Sequence, residues 1–204
     1  ARESVKSLLK DFMAALKGEP QQSFDPVDVR AKLSSLGYDV ERLEDPAWAL
    51  VQYLSLHCPV GRLFGNWALA GSLKLFDTVI GAGTQRRPGV GIGRATGTVQ
   101  ENVLYFVETS EAGVEVPLLL VGEVEARGSA PARLLASLLE AVEAVGLGVG
   151  GRKSVGLGLL ELEGAEFHAF ELGRGGDERG ALLANPLSAP RMGLREFAGW
   201  LRGG

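Results

Sequence analysis

The feature that most constrains this chain is a change of hydrophobic period at Cys58-Pro59. Before it, apolar residues recur every three to four positions, and after it they fall into short alternating runs cut by glycine. A chain that switches period in this way is α+β. Val5, Leu8, Leu9, Phe12, Met13 and Leu16 form one stripe, with Lys6, Lys10 and Lys17 off it and Gly18 as a stop, which predicts a helix over residues 2–16. Asp25-Pro26 and Asp45-Pro46 each place a capping acid before a proline fit for a first helical turn. The first of these helices is expected to end at Gly37, and the second to run through Trp48, Leu50, Val51, Tyr53 and Leu54 to the break.

Beyond the break, strands are expected over residues 72–80, 103–109 and 114–125. Ser129 then caps a helix opened by Pro131, whose stripe of Leu134, Leu135, Leu138, Leu139, Val142 and Val145 ends at Gly146. Strand-like alternation returns over 154–163 and 166–172, residues 173–190 read as loop, and 194–201 as a short final helix. This order is most of a ferredoxin-like (RRM-like) βαββαβ core over residues 1–172, with a helical insertion at 25–58, a β-hairpin arm at 81–102 and a tail at 173–204. The first strand is missing from the order. Residues upstream of Ala1 are expected to supply it, because a sheet without it leaves a bare position.

Charge limits where a polyanion could be held. The net charge is -4, so affinity for nucleic acid has to come from local clusters rather than the whole molecule's field. Glycine, at 29 of 204 residues, is about twice its usual share of roughly 7%. Arginine outnumbers lysine 15 to 6, and arginine is the cation that grips phosphate bidentately. Both biases converge on two segments. Residues 81–98 hold Arg86, Arg87 and Arg94 with no acid, as a long hairpin tracking a phosphate chain would, or as a plain solvated loop would. Residues 146–158 are glycine at six of thirteen positions and place Gly150, Gly151, Arg152 and Lys153 together. The bland alternative there is a tight connection needing positive φ; no GxxxxGK[ST] can be written over it, which leaves nucleotide triphosphate binding unsupported.

Catalytic and metal chemistry find little footing. One cysteine, Cys58, forms no intramolecular disulfide, and with two histidines it falls short of a soft-ligand zinc set, so no metal and no cofactor are expected. His57 and Cys58 are adjacent on a helix and point about 100° apart, which favours packing over a thiol-imidazole pair. His168 alternates with Phe167 and Phe170 as a half-buried sheet residue would, and Asp77 and Glu108 are lone acids open to pairing with arginine. The catalytic set is therefore unassigned. No apolar run reaches the roughly 18 residues of a membrane span and no secretory leader opens the chain, so a cytoplasmic location without membrane contact is expected.

With these residues in view, the chain resembles the RAMP superfamily of CRISPR-associated proteins, and specifically the backbone subunits of type III RNA-guided effector complexes. The resemblance rests on residues 3–10 with Ser4 and Lys6; on Leu63-Phe64-Gly65 followed by Gly71-Ser72-Leu73 and Asp77; on residues 88–98 with Arg94-Ala95-Thr96-Gly97, then Leu104-Tyr105-Phe106 and Glu108; and on the glycine-rich segment 150–158. It departs at Ser7, where the family has glycine. The resemblance implies a subunit that polymerises along a guide RNA, with the arm kinking the guide. Its expected contacts are Ser4, Lys6, Arg86, Arg87, Arg94, Gly150, Gly151, Arg152 and Lys153. Implied partners are guide RNA, target RNA, other effector subunits and copies of itself. In some such subunits an acid in the loop after the first strand cleaves target RNA with a divalent metal; that loop would precede Ala1, so no residue here inherits the role. Two other readings remain open: a RAMP-type endoribonuclease that processes precursor guide RNA through histidine, and a protein-interaction module without RNA.

Overall fold

The computed structural model describes residues 2–172 and 177–204. The chain divides into two compact units, one of Ala1–Leu73 with Gly122–Gly204 and one of Lys74–Val121. Its elements run α1 (Arg2–Leu16), α2 (Pro26–Ser35), α3 (Pro46–His57), α4 (Pro59–Phe64), β1 (Leu73–Leu75), β2 (Thr84–Ile92), β3 (Val99–Ser110), β4 (Leu120–Gly122), α5 (Ala130–Val145), β5 (Leu147–Gly148), β6 (Leu159–Leu160), β7 (Phe167–His168), α6 (Asp177–Ala184), β8 (Arg191–Met192) and α7 (Leu194–Arg202). The α+β class expected from the period change is the one observed. The strands pair in four two-stranded sheets: β1 with β4, β2 with β3, β5 with β6 and β7 with β8.

The helix boundaries follow the capping chemistry. Asp25 accepts the amide of Val27 at 2.8 Å, Asp45 that of Trp48 at 3.0 Å, and the Ser129 hydroxyl that of Ala132 at 3.4 Å, with proline in each first turn. Two helices were not legible. Pro59, which reads as a break, instead opens α4, where the Cys58 thiol receives the amide of Gly61 at 3.4 Å. Proline ends one helix and starts the next because its missing N–H costs nothing at a first turn. Residues 177–184, expected as loop, are helical, while the expected final helix is present as α7.

The strands are shorter than their alternation implies. Residues 72–80 give only β1, 114–125 only β4, 154–163 only β6 after a 3-10 turn at Lys153–Val155, and 166–172 only β7. Alternation marks a capacity to pair, and a ladder extends only where a second strand stands opposite. Pro117, which has no N–H to donate, lies outside β4.

The first unit holds two clusters. Phe12, Ala15, Leu16, Phe24, Val29, Leu33, Ala49, Leu50 and Tyr53 close one cluster between α1, α2 and α3. Phe12, Phe24 and Tyr53 meet ring to ring at 5.5 to 5.9 Å, two of the three contacts edge-on. Each such side chain contributes roughly 1.5–3 kcal/mol by its burial. The Arg30 guanidinium closes the end of α1 by donating twice to the Leu16 carbonyl, at 2.7 and 3.1 Å. So α1 shares a core with the helices of the expected insertion. The second cluster joins α4, α5 and α7 through Leu63, Ala132, Leu135, Ala136, Ala198 and Leu201. The buried face of α5 is narrower than the stripe in the sequence, since Leu138 and Val145 lie exposed. Arg202 and Glu140 latch α7 to α5 through two hydrogen bonds of 2.6 and 2.5 Å. No helix among the described residues is long and apolar enough to cross a membrane.

The second unit is built on the β2–β3 hairpin. Eight antiparallel register pairs run from Thr84 opposite Ser110 to Ile92 opposite Val99, with an irregularity between Val90 and Ile92. The arm is thus an ordered ladder that extends beyond the expected 81–102 to Ser110.

Candidate nucleic-acid interface

The glycine-rich segment after α5 folds as a small hairpin. Gly146, at φ 76°, turns the chain off the helix, and β5 and β6 then pair through Leu147 opposite Leu160 and Gly148 opposite Leu159. The amide of Val149 donates to the Gly158 carbonyl at 2.7 Å, closing the neck. A Cβ at Gly158 would lie 1.9 Å from the Val149 carbonyl oxygen, so this glycine is required by space as well as by its φ of 73°. At the tip, Arg152 adopts φ 61°, the only positive φ of a non-glycine residue among the described residues. A left-handed backbone at a non-glycine residue is uncommon and costs on the order of 1–3 kcal/mol, which the surrounding glycine turns hold in place. Arg152 and Lys153 are exposed, and a Cβ at Gly150 or Gly151 would meet nothing within 4 Å. The tip therefore offers two cations beside open peptide backbone.

The long hairpin distributes its arginines differently. Arg86 stands opposite Glu108, its Nε 3.2 Å from Oε1. Arg87 occupies the other face, opposite Val107. That second face also carries Tyr105, whose ring covers Gly89 so closely that a Cβ there would lie 2.4 Å from it. Arg94 sits exposed in the connecting turn, which is closed by the Gly93 amide on the Thr98 carbonyl at 2.9 Å and the Gly97 amide on the Gly93 carbonyl at 2.8 Å. Beyond the Arg86–Glu108 pair, the first face is apolar: Leu104 and Phe106 are 61% and 62% exposed.

Ser4 and Lys6 lie exposed on the first turns of α1. That helix packs on α2 and α3, whereas the glycine hairpin extends from α5 in the other cluster, and Arg86, Arg87 and Arg94 belong to the second unit. The nine expected contact residues are thus carried on three separate supports.

Two polar groupings were not read from the sequence. Asp28 accepts the Tyr53 hydroxyl at 2.8 Å and sits 3.1 Å from His57 Nε2, while the Tyr53 and His57 rings lie 4.4 Å apart. Burial of the Tyr53 ring, followed by its bond to Asp28 and that carboxylate's charge, pushes the phenol far above its ordinary value. His57 is therefore a packing and pairing residue, with a partner 29 positions away that only folding supplies. His168 is half-buried on β7 as expected, opposite Arg191 of β8, with Nδ1 2.8 Å from the Ala189 carbonyl and Nε2 3.1 Å from Glu166 Oε1. Both ring nitrogens are thereby engaged by the protein. Asp77 makes no ion pair among the described residues, whereas Glu108 pairs with Arg86. Among the described residues no three His, Cys, Asp or Glu side chains gather as a metal site would need.

These supports define a class: an α+β protein whose exposed cations are carried on glycine-shaped hairpins. Residues 4–161 match the family model of the RAMP superfamily, and no curated protein matches the chain. The chain belongs to the RAMP superfamily of CRISPR-associated proteins, whose folds are ferredoxin-like.

Proposed function

We propose that the chain is a guide-RNA-binding backbone subunit of a type III effector complex, holding RNA by its phosphates through the 146–158 hairpin and the arginines of β2 and its turn. The observation that carries this reading is the strained, exposed Arg152 beside Lys153 and the bare backbone of Gly150 and Gly151. Peptide N–H groups and cations at such a tip bind an anion without regard to base, which is what a subunit repeated along a guide requires. Guide and target RNA, other effector subunits and further copies of this chain are the partners in this reading. The location is cytoplasmic, where a guide would be met.

The endoribonuclease alternative is less favoured, because His168 has both nitrogens occupied and neither is presented to a substrate. Filter binding of unrelated single-stranded RNAs at several salt concentrations tests the proposal. Arg152→Ala with Lys153→Ala is expected to weaken all of them about equally and to flatten the salt slope by roughly one to two units. Loss for one sequence alone, or an unchanged slope, would overturn the backbone-contact reading.

A further inference from the structure

Outside the basic hairpins, the most conspicuous exposed side chain is Trp67, at 74% exposure. Its loop is built to hold it. Gly65 and Gly71 bring two stretches of backbone together so closely that a Cβ on Gly65 would lie 2.6 Å from the Gly71 nitrogen. Within the loop, the Asn66 carboxamide oxygen accepts the amides of Ala68 at 2.8 Å and Leu69 at 3.0 Å, and the Asn66 amide donates to the Leu69 carbonyl at 2.8 Å. Trp67 is therefore displayed from a fixed frame, and its ring meets Trp48 of α3 at 4.8 Å. On α4, Val60 and Phe64 stand one turn apart and are 52% and 57% exposed, which adds apolar surface on the helix that leads into this loop.

The charge around the pair selects its partner. Trp48 lies in the first turn of α3, where its amide is held by Asp45 at 3.0 Å, and helical side chains lean toward the N-terminal end. Residues 39–45 carry Asp39, Glu41, Glu44 and Asp45 against a single base, Arg42, which is itself 3.9 Å from Asp39. Carboxylates clustered just before Trp48 repel phosphate and attract a cation, and the exposed Trp67 face adds cation–π attraction of its own. We infer that Trp67 and Trp48, with Glu44 and Asp45, form a docking site for a protein segment that carries arginine or lysine among apolar residues, distinct from the RNA-gripping hairpins. The preformed loop spares the ordering cost of such an anchor, and tryptophan is the side chain most often dominant at the centre of an interface.

The test follows tryptophan fluorescence of the full chain during titration with a short capped peptide alternating arginine and leucine. The same peptide with glutamate in place of arginine, and single-stranded oligouridylate, serve as comparison probes. The expected result is a saturable change with the arginine peptide alone, about tenfold or more weaker in Trp67→Ala and severalfold weaker in Glu44→Gln. Trp67→Ala should keep the parent circular dichroism, since the side chain is largely solvated. Anisotropy of a labelled peptide gives a second readout independent of the removed indole. Equal binding of the glutamate peptide, or unchanged affinity in Trp67→Ala, would overturn the proposal. So would an oligouridylate response abolished by Trp67→Ala, which would assign the surface to RNA. Oligouridylate binding lost only in the Arg152→Ala, Lys153→Ala variant would leave the docking site and the RNA reading standing separately.

Discussion

Arg86 and Glu108 face each other across the β2–β3 ladder, the guanidinium Nε 3.2 Å from the carboxylate. Both are largely solvated, so the pair contributes only ~0–1 kcal/mol to stability. Its larger effect is on charge: among the described residues, Arg86 alone of the three arginines in residues 81–98 has an ion-pair partner. Under the proposed function, Arg86 is therefore expected to be the weakest of the three as a phosphate contact. Glu108→Gln should tighten binding to unrelated RNAs and steepen the salt slope by up to about one unit, while Arg87→Ala should cost more affinity than Arg86→Ala. Filter binding across a salt series reads both, and equal losses for the two arginines would refute the assignment.

Gly151 separates fold from function in the short hairpin. A Cβ there meets nothing within 4 Å, so Gly151→Ala should leave thermal stability within about 0.5 kcal/mol of the parent. RNA affinity should nevertheless fall if phosphate approaches that backbone. Gly158→Ala is the opposite case, because its Cβ would collide with the Val149 carbonyl and open the hairpin neck. Thermal melts paired with binding isotherms distinguish the two, and a Gly151→Ala protein with parental affinity would place the phosphate elsewhere.

The Tyr53–Asp28 bond predicts a particular alkaline behaviour. The folded protein holds the phenolic proton more tightly than the unfolded chain, whose tyrosine titrates near 10.0. The stability this adds is complete below that value and is lost as pH rises above it toward the folded value. Urea unfolding at a series of alkaline pH values should show a decline that is smaller in Tyr53→Phe. At neutral pH, Asp28→Ala should cost about 0.5–1.5 kcal/mol by removing the acceptor of this part-buried hydroxyl. A parental alkaline slope in Tyr53→Phe would show that other groups set it.

Within residues 74–121, trypsin should cut first after Arg94. That bond lies in the exposed turn, whereas the bond after Arg86 lies inside the paired ladder and the bond after Arg87 is closed to trypsin in any state because Pro88 follows it. Mass spectrometry of early fragments checks the order. Protection of Arg94 by added RNA is expected if the turn contacts the guide, and early cuts after Arg86 would mean that the ladder opens in solution.

The helices were largely legible before the structure, because their signals are local. An aspartate or serine before a proline satisfies an orphan amide two or three residues on, and glycine supplies the positive φ that ends the turn; neither needs a distant partner. The candidate RNA contacts at Arg152 and Lys153 were visible for the same reason, since glycine density and charge are properties of a short segment. Strand length was not visible. Residues 114–125 alternate well enough for a long strand, yet only Leu120–Gly122 pairs, because a ladder depends on what stands opposite. Nor could sequence alone show that Glu108 neutralises Arg86, that Asp28 holds Tyr53 and His57 together, or that Trp67 meets Trp48. The sequence by itself determined the α+β class, the capped starts of α2, α3 and α5 and the two basic glycine segments. The tertiary structure decided which charges are paired and which aromatic rings stay exposed, because pairing and burial are set by residues brought together only when the chain closes on itself.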